Sequence, residues 1–232
     1  SCKTGQCGVC ASRVMAGNTE VLKSEISLNA QQREQGFVLT CCRAATTDLQ
    51  LDSEDLPELQ GLTVKTCPAR IDAIDYLNNS VIRVVLRTPP NNSLQFLPGQ
   101  YVSVIGPNSL RRSYSVANAP RADNKIELHI KKVEGGAFSQ YWFEQAKVND
   151  LLRFEGPLGT FFVRSPAPKK LLLLATGTGL APVKSILEQF IQIDAEKRPE
   201  IHVYWGNRKD TDIFTDLHDL AGPNVQTHLL LS

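Results

Sequence analysis

Hydrophobic and polar positions alternate through the middle of the chain. Ile82, Val84 and Leu86 interleave with Arg83, Val85 and Arg87, and Ile126, Leu128 and Ile130 interleave with Glu127, His129 and Lys131. A period of two sends successive side chains to opposite faces, so these runs predict half-buried antiparallel strands, with His129 on an exposed polar face. Pro89-Pro90, Pro98-Gly99 and Gly106-Pro107 punctuate them. Short strands between such turns predict a small closed β-barrel. After Pro168 the rhythm changes. Leu171, Leu172, Leu173 and Leu174 form a continuous apolar run, the pattern of a strand covered on both faces. A glycine-rich turn follows, then a helical period with Val183, Leu187 and Ile191 on one face. Residues 201–205 read as the next strand and 228–231 as the start of another. This βαβ order predicts a parallel sheet.

The expected fold class is therefore multidomain. Residues 1–55 hold five of the six cysteines and end in a short strand at Leu49-Gln50-Leu51, while 56–66, with Pro57 and Gly61, read as a linker. Residues 67–168 form the antiparallel barrel and 169–232 the α/β unit. The last supplies fewer strands than an open nucleotide-binding sheet normally has, so it is expected to be the N-terminal part of one. The cysteine unit begins inside its own motif and is expected to be the C-terminal part of a domain.

Charge and composition narrow the partners. With 25 basic and 24 acidic residues the formal charge is +1, which offers no polybasic surface for nucleic acid. No secretory signal is visible, and the longest apolar run, 171–175, is far too short to span a bilayer. Six cysteines are too few for a disulfide scaffold in 232 residues, and their clustering favours metal in a reducing compartment, hence the cytoplasm.

Cys2, Cys7 and Cys10 stand as C-x4-C-x2-C, with Cys41 downstream. That is the spacing of plant-type [2Fe–2S] ligation, in which four thiolates hold two irons. Gly5 and Gly8 let the loop curl closely around such a cluster. Zinc is the competing metal, but structural zinc sites usually show paired short knuckles. Cys42 follows Cys41 directly and points the opposite way on an extended strand, so only one of the two can be the ligand. Cys67, beside Pro68, reads as a packed or idle thiol.

Arg112-Ser113-Tyr114-Ser115 closes a barrel strand; Gly135-Gly136-Ala137-Phe138-Ser139 precedes an expected helix over 140–147; Gly177-Thr178-Gly179-Leu180-Ala181-Pro182 joins strand to helix. A planar Arg112 fork suits a phosphate, and Tyr114 offers an amphipathic ring. Arg111 reads as a solvated charge. Amides at the start of the 140–147 helix suit a second phosphate, Gly177 and Gly179 permit close approach to a pyrophosphate, and Pro182 suits a first helical turn. Gly206 and Arg208 follow the second parallel strand, where such sheets read the adenosine half of a nucleotide. Arg208 and Lys209 could meet a 2′-phosphate, with Asp210 and Asp212 opposing it.

In this order, the cysteine loop, R-x-Y-S, G-G-x-x-S and G-T-G-x-A-P resemble the ferredoxin–NAD(P)H reductase superfamily. More narrowly they are similar to its three-part reductases, which serve oxygenases or a deoxysugar dehydratase. The resemblance covers nearly the whole chain. It implies a partial β-grasp ferredoxin unit, a flavin barrel and a partial nucleotide domain. It implies FAD held by Arg112, Ser113, Tyr114 and Ser115, with Ser115 near the flavin N5, and by Gly136 and Ser139. It implies NADH, with NADPH as the alternative, held by Gly177, Thr178, Gly179, Ala181, Pro182, Gly206 and Arg208. Through its L-T-C pattern it also selects Cys41 over Cys42. A redox partner protein is the implied acceptor. A flavin reductase without a cluster, a bare electron carrier and a zinc-stabilised module are the competing readings.

Overall fold

The structure is a computed structural model that describes residues 4–165, 169–220, 222 and 224–232. It divides into two compact units, one up to Gln60 and one from Gly61.

The first unit contains β1 (Ala11–Ala16), β2 (Thr19–Val21), α1 (Ala30–Glu34), β3 (Phe37–Leu39), β4 (Arg43–Ala45) and β5 (Gln50–Asp52). β3 and β5 flank β1, both antiparallel, and β2 pairs with β4. A helix as short as α1 is unstable alone. Asn29 and Gln32 supply a capping box: Asn29 Oδ1 accepts from Gln32 N at 2.8 Å and Gln32 Oε1 accepts from Asn29 N at 3.0 Å. The buried core is small, built on Leu28, Leu39 and Cys42, and a buried ion pair braces it. Glu25 accepts from Leu39 N at 2.7 Å and from Arg43 Nε at 3.0 Å and Nη2 at 2.8 Å. Hydrogen bonding by Arg43 outweighs desolvation and holds the Glu25 carboxyl below its ordinary range. Glu25→Ala leaves the Arg43 charge and the Leu39 amide unpaired, and is expected to destabilise this unit by about 3 kcal/mol. Denaturant unfolding of the variant checks this, and a change below ~1 kcal/mol contradicts it.

The second unit opens with β6 (Lys65–Tyr76), β7 (Val81–Arg87), β8 (Tyr101–Ile105), β9 (Arg111–Ser115), β10 (Lys125–Lys131), α2 (Ala137–Gln140) and β11 (Leu151–Leu158). The six strands form one antiparallel sheet in the order β10-β7-β6-β11-β8-β9, and a bridge between Val116 and Leu128 brings its two edges together as a near-barrel. Ile82, Val84, Leu86, Ile126, Leu128 and Ile130 all lie in its core, as the alternation predicts. Cys67 is fully buried there, and burial pushes its thiol pKa up. The expected helix over 140–147 starts earlier, as α2, and ends in a single π turn at Tyr141–Gln145. That shift lets Phe138, Tyr141 and Trp142 all enter the barrel core.

The chain continues with β12 (Lys170–Thr176), α3 (Leu180–Ile191), β13 (Glu200–Asn207), α4 (Leu217–Leu220) and β14 (Val225–Leu231). The strands are parallel, in the order β12-β13-β14. Two expectations fail here. Leu172 and Leu174 are 61% and 68% exposed, because among the described residues α3 covers only the face bearing Leu173 and Ala175. Ile191 is 42% exposed; the packed stripe of α3 runs through Leu180, Val183, Ile186, Leu187 and Phe190. No helix among the described residues is long and apolar enough to cross a membrane.

His129 is a third correction. It is 7% exposed, with Nε2 at 2.9 Å from Glu127 Oε1 and its ring edge-on to Phe214 at 5.5 Å. The polar face of β10 is covered by the α/β part of the same unit. Burial alone raises the Glu127 carboxyl, but the hydrogen bond with His129 and the charge of Lys184 outweigh it and lower the pKa to about 2. Arg83 lies at 3.2 Å from the other carboxylate oxygen. The folded value lies below the ordinary 4.5, so the stabilisation is complete above pH 4.5 and is lost as pH falls toward 2. The shift corresponds to about 3 kcal/mol, so Glu127→Gln is expected to flatten the acid limb of the unit's stability curve. Equal acid sensitivity in variant and parent, read by unfolding at several pH values, contradicts this.

Candidate functional site

β9 pairs with β8 from Tyr101 opposite Ser115 to Ile105 opposite Arg111. Alternation along the strand puts Arg112 and Tyr114 on one face and Arg111, Ser113 and Ser115 on the other. Arg111, read from sequence as merely solvated, pairs with Glu155 at 2.5 Å. Arg112 is exposed; its Nη1 donates to the Arg111 carbonyl at 2.8 Å, and it pairs with no carboxylate among the described residues. Ser113 is exposed and Ser115 half-buried.

The Tyr114 ring stacks on Phe138 at 6.1 Å and meets Trp142 edge-on at 6.3 Å, while Trp142 Nε1 donates to Tyr114 Oη at 3.1 Å. Burial raises the Tyr114 phenol to about 12, so it is neutral at any working pH. These contacts bring the R-S-Y-S strand beside the turn that carries Gly136 and Ser139. A Cβ at Gly136 would lie 3.1 Å from the Val133 carbonyl, and Ser139 Oγ accepts from Val133 N at 2.9 Å. An available guanidinium, a neutral aromatic and a tight glycine turn side by side fit a flavin nucleotide.

The nucleotide loop lies at the end of β12. Gly177 has φ +49, and a Cβ at Gly177 or Gly179 would meet nothing within 4 Å, so both backbones face open space. Trp205 Nε1 pins the loop by donating to the Gly177 carbonyl at 2.9 Å. Gly177, Thr178, Gly206 and Arg208 come together around a cavity of about 680 Å³, with Asn207 and the barrel residue Lys131. Gly179 caps α3, while Ala181 and Pro182 lie in its first turn and do not line the cavity. Asp212 does not stand as an unopposed charge: Lys131 Nζ holds it at 3.1 Å and keeps its carboxyl below the usual range.

Asn207 stands between Gly206 and Arg208 in the segment read from sequence, which gave it no role of its own. It is 5% exposed, and neither side-chain polar atom has a partner among the described residues. Buried unsatisfied amides are costly and rare, and a nucleotide in the cavity would relieve this one. A signal was present: Asn207 continues the inward row Ile201, Val203, Trp205, where a polar side chain is out of place.

Cys2 lies outside the described residues. Gly5 has φ +75, and a Cβ there would lie 2.3 Å from the Ser24 carbonyl. Cys7 is exposed, Cys10 and Cys41 are half-buried, and Cys42 is fully buried with Sγ 3.7 Å from the Ser24 carbonyl. Thr40 N donates to the Cys10 carbonyl at 3.1 Å, so the backbone brings Cys10 and Cys41 to neighbouring segments. That contact relates two of the four cysteines. Among the described residues, however, no three metal-ligating side chains converge.

Comparison with known proteins follows the same division. Residues 68–163 match an oxidoreductase FAD-binding domain and residues 173–224 an oxidoreductase NAD-binding domain. A CDP-6-deoxy-L-threo-D-glycero-4-hexulose-3-dehydrase reductase of Yersinia pestis is 40% identical over 228 residues, 97% of this chain and 68% of that protein. The chain belongs to the ferredoxin reductase family. It is an oxidoreductase with FAD- and NAD-binding domains. The reductase component of a Ralstonia naphthalene 1,2-dioxygenase/salicylate 5-hydroxylase system is 32% identical across 100% of this chain and 70% of its own length. Among solved structures of this reductase type, a cytochrome P450 reductase from Amycolatopsis superposes with a TM-score of 0.80 at 26% identity, covering 100% of this chain and 71% of that one.

Proposed function

We propose that this reductase takes electrons from NADH, with NADPH as the alternative donor, and delivers them through FAD and a [2Fe–2S] cluster to a separate protein. The observation that carries the reading is the shared cavity, in which Gly177, Thr178, Gly206, Asn207 and Arg208 meet Lys131 of the flavin barrel. In this reading Arg112 binds a flavin phosphate through its guanidinium fork, and Gly136 and Ser139 shape the turn at the second phosphate. Tyr114 lies against the flavin ring, oriented by the Trp142 hydrogen bond. Ser113 helps hold the cofactor, and Ser115 places a hydroxyl or amide near the flavin N5, where it orients hydrogen transfer. Gly177, Thr178 and Gly179 bring backbone to the nucleotide phosphates, Ala181 and Pro182 set the start of α3, and Gly206 and Arg208 receive the adenosine half. FAD, when bound, supplies the conversion between two-electron and one-electron transfer.

Cys2, Cys7, Cys10 and Cys41 are the proposed cluster ligands, within part of a β-grasp ferredoxin unit over residues 1–55. Residues 56–66 are the proposed linker, 67–168 the flavin domain and 169–232 part of the nucleotide domain. The acceptor is an oxygenase component or a deoxysugar dehydratase, and the reductases of 40% identity favour the dehydratase. The proposed compartment is the reducing cytoplasm. An NADH-dependent dye-reduction assay on flavin-loaded protein tests the reading. Dye reduction that needs both flavin and NADH supports it, and a flavin-loaded protein inert to both NADH and NADPH overturns it.

A further inference from the structure

The flavin strand and the nucleotide loop are joined by a polar seam. Just beyond Ser115, the buried residues Ala117, Asn118 and Ala119 are each fixed by α3, the helix that the nucleotide loop enters. Lys184 Nζ donates to the Ala117 carbonyl at 3.0 Å, Ser185 Oγ donates to the Asn118 carbonyl at 2.7 Å, and Ala119 N donates to Glu188 Oε2 at 3.0 Å. Lys184 Nζ also meets Glu127 Oε1 of β10 at 3.1 Å and Glu188 Oε1 at 2.6 Å. Its three partners match the three donors of an ammonium. The Lys184 side chain is 15% exposed and that of Glu127 5%.

Cohesion alone does not call for this arrangement. Apolar side chains of similar volume usually hold two surfaces together as well as a buried ion pair does. Directional bonds add a fixed offset, and that offset lies between the two segments that would carry the reacting cofactors. We propose that Lys184, backed by Glu188 and Glu127, is a positioning residue that sets the distance between the nucleotide loop and the flavin strand for hydride transfer. The inference rests on the NADH-to-flavin reading above. With both cofactors bound, the C–H bond at the nicotinamide C4 would break and its electron pair would leave with the hydride to form an N–H bond at the flavin N5. The nicotinamide would be oxidised, and the flavin would be reduced and take a proton from solvent. Lys184 touches neither reacting atom; it acts through the backbone at Ala117 and the start of α3.

The test is anaerobic stopped-flow bleaching of flavin-loaded protein by NADH, for the parent, Lys184→Met, Lys184→Arg and Glu188→Gln. Titrating NADH separates the limiting rate from the dissociation constant. Misplacement by a fraction of an ångström is expected to slow the limiting rate of Lys184→Met at least ~10-fold, with flavin content and NADH affinity within about twofold of the parent. Lys184→Arg, which keeps the charge and donors, is expected to recover part of that rate. Amide exchange at Ala119 is expected to quicken in Glu188→Gln. If Lys184→Met does not fold, the rate of Glu188→Gln, whose carboxylate reaches solvent, decides the question. Limiting rates within about twofold of the parent in the folded variants overturn the inference alone. So does a rate loss matched by an equal loss of flavin or NADH binding. A flavin-loaded parent that NADH does not bleach overturns the functional reading, and this inference with it.

Discussion

Arg112→Ala is expected to lose flavin while keeping its fold. Charge-assisted hydrogen bonds contribute about 1.5–3 kcal/mol, so retention should weaken roughly 10- to 150-fold. The barrel has little reason to suffer, because Arg112 is exposed and its recorded hydrogen bond is to the carbonyl of its own neighbour. Arg111→Ala is the control. It breaks the surface pair with Glu155, costs at most about 1 kcal/mol, and should leave flavin bound. The flavin-to-protein ratio after gel filtration, with a fluorescence titration of the stripped protein, reads both variants. Normal flavin in Arg112→Ala would show that the phosphate lies elsewhere.

Cys41→Ser is expected to abolish iron and acid-labile sulfide, while Cys42→Ser keeps both. The expectation that the two thiols point opposite ways on a strand fails: both lie in the turn between β3 and β4, with sulfurs 3.6 Å apart, yet Cys42 is fully buried and Cys41 is not. Placing a hydroxyl at the Cys42 position costs about 1–3 kcal/mol if it finds no partner, so that variant should melt earlier although its cluster persists. Iron and sulfide analysis with a thermal melt reads the pair. Loss of the cluster in Cys42→Ser alone would move the ligand by one residue.

The strands of the barrel were legible because a half-covered sheet imposes a period of two, and Ile126, Leu128 and Ile130 keep it. What covers the second face was not legible. Alternation places Glu127 and His129 opposite the core, but it says nothing about Lys184 of α3 and Phe214 of a later loop arriving to cover them. Leu172 and Leu174 fail for a related reason: an unbroken apolar run implies two covered faces, and the described residues cover one. Ile191 repeats at helical spacing from Val183 and Leu187, yet the helix packs through the Ile186 and Phe190 side of its stripe.

At the site, glycines were the readable part. Gly177 and Gly179 stand where backbone faces open space, a demand that shows in sequence as glycine. Asn207 shows in sequence only as a polar residue ending the inward row of β13. Lys184 carries no mark at all, since a lysine on a helix is common, and only burial and partners separate it from a solvated one. The cysteine spacing carries the cluster proposal from the sequence side, since cysteines at such intervals have few other uses, while among the described residues no three metal-ligating side chains converge.

The most direct test of the account is the visible spectrum of the anaerobic protein, with flavin, iron and sulfide counts, before and after NADH. Bound flavin with iron–sulfur absorbance, both bleached by NADH, is the expected result. Flavin that dithionite bleaches while NADH and NADPH leave it untouched would contradict the central claim that this reductase draws its electrons from a nicotinamide.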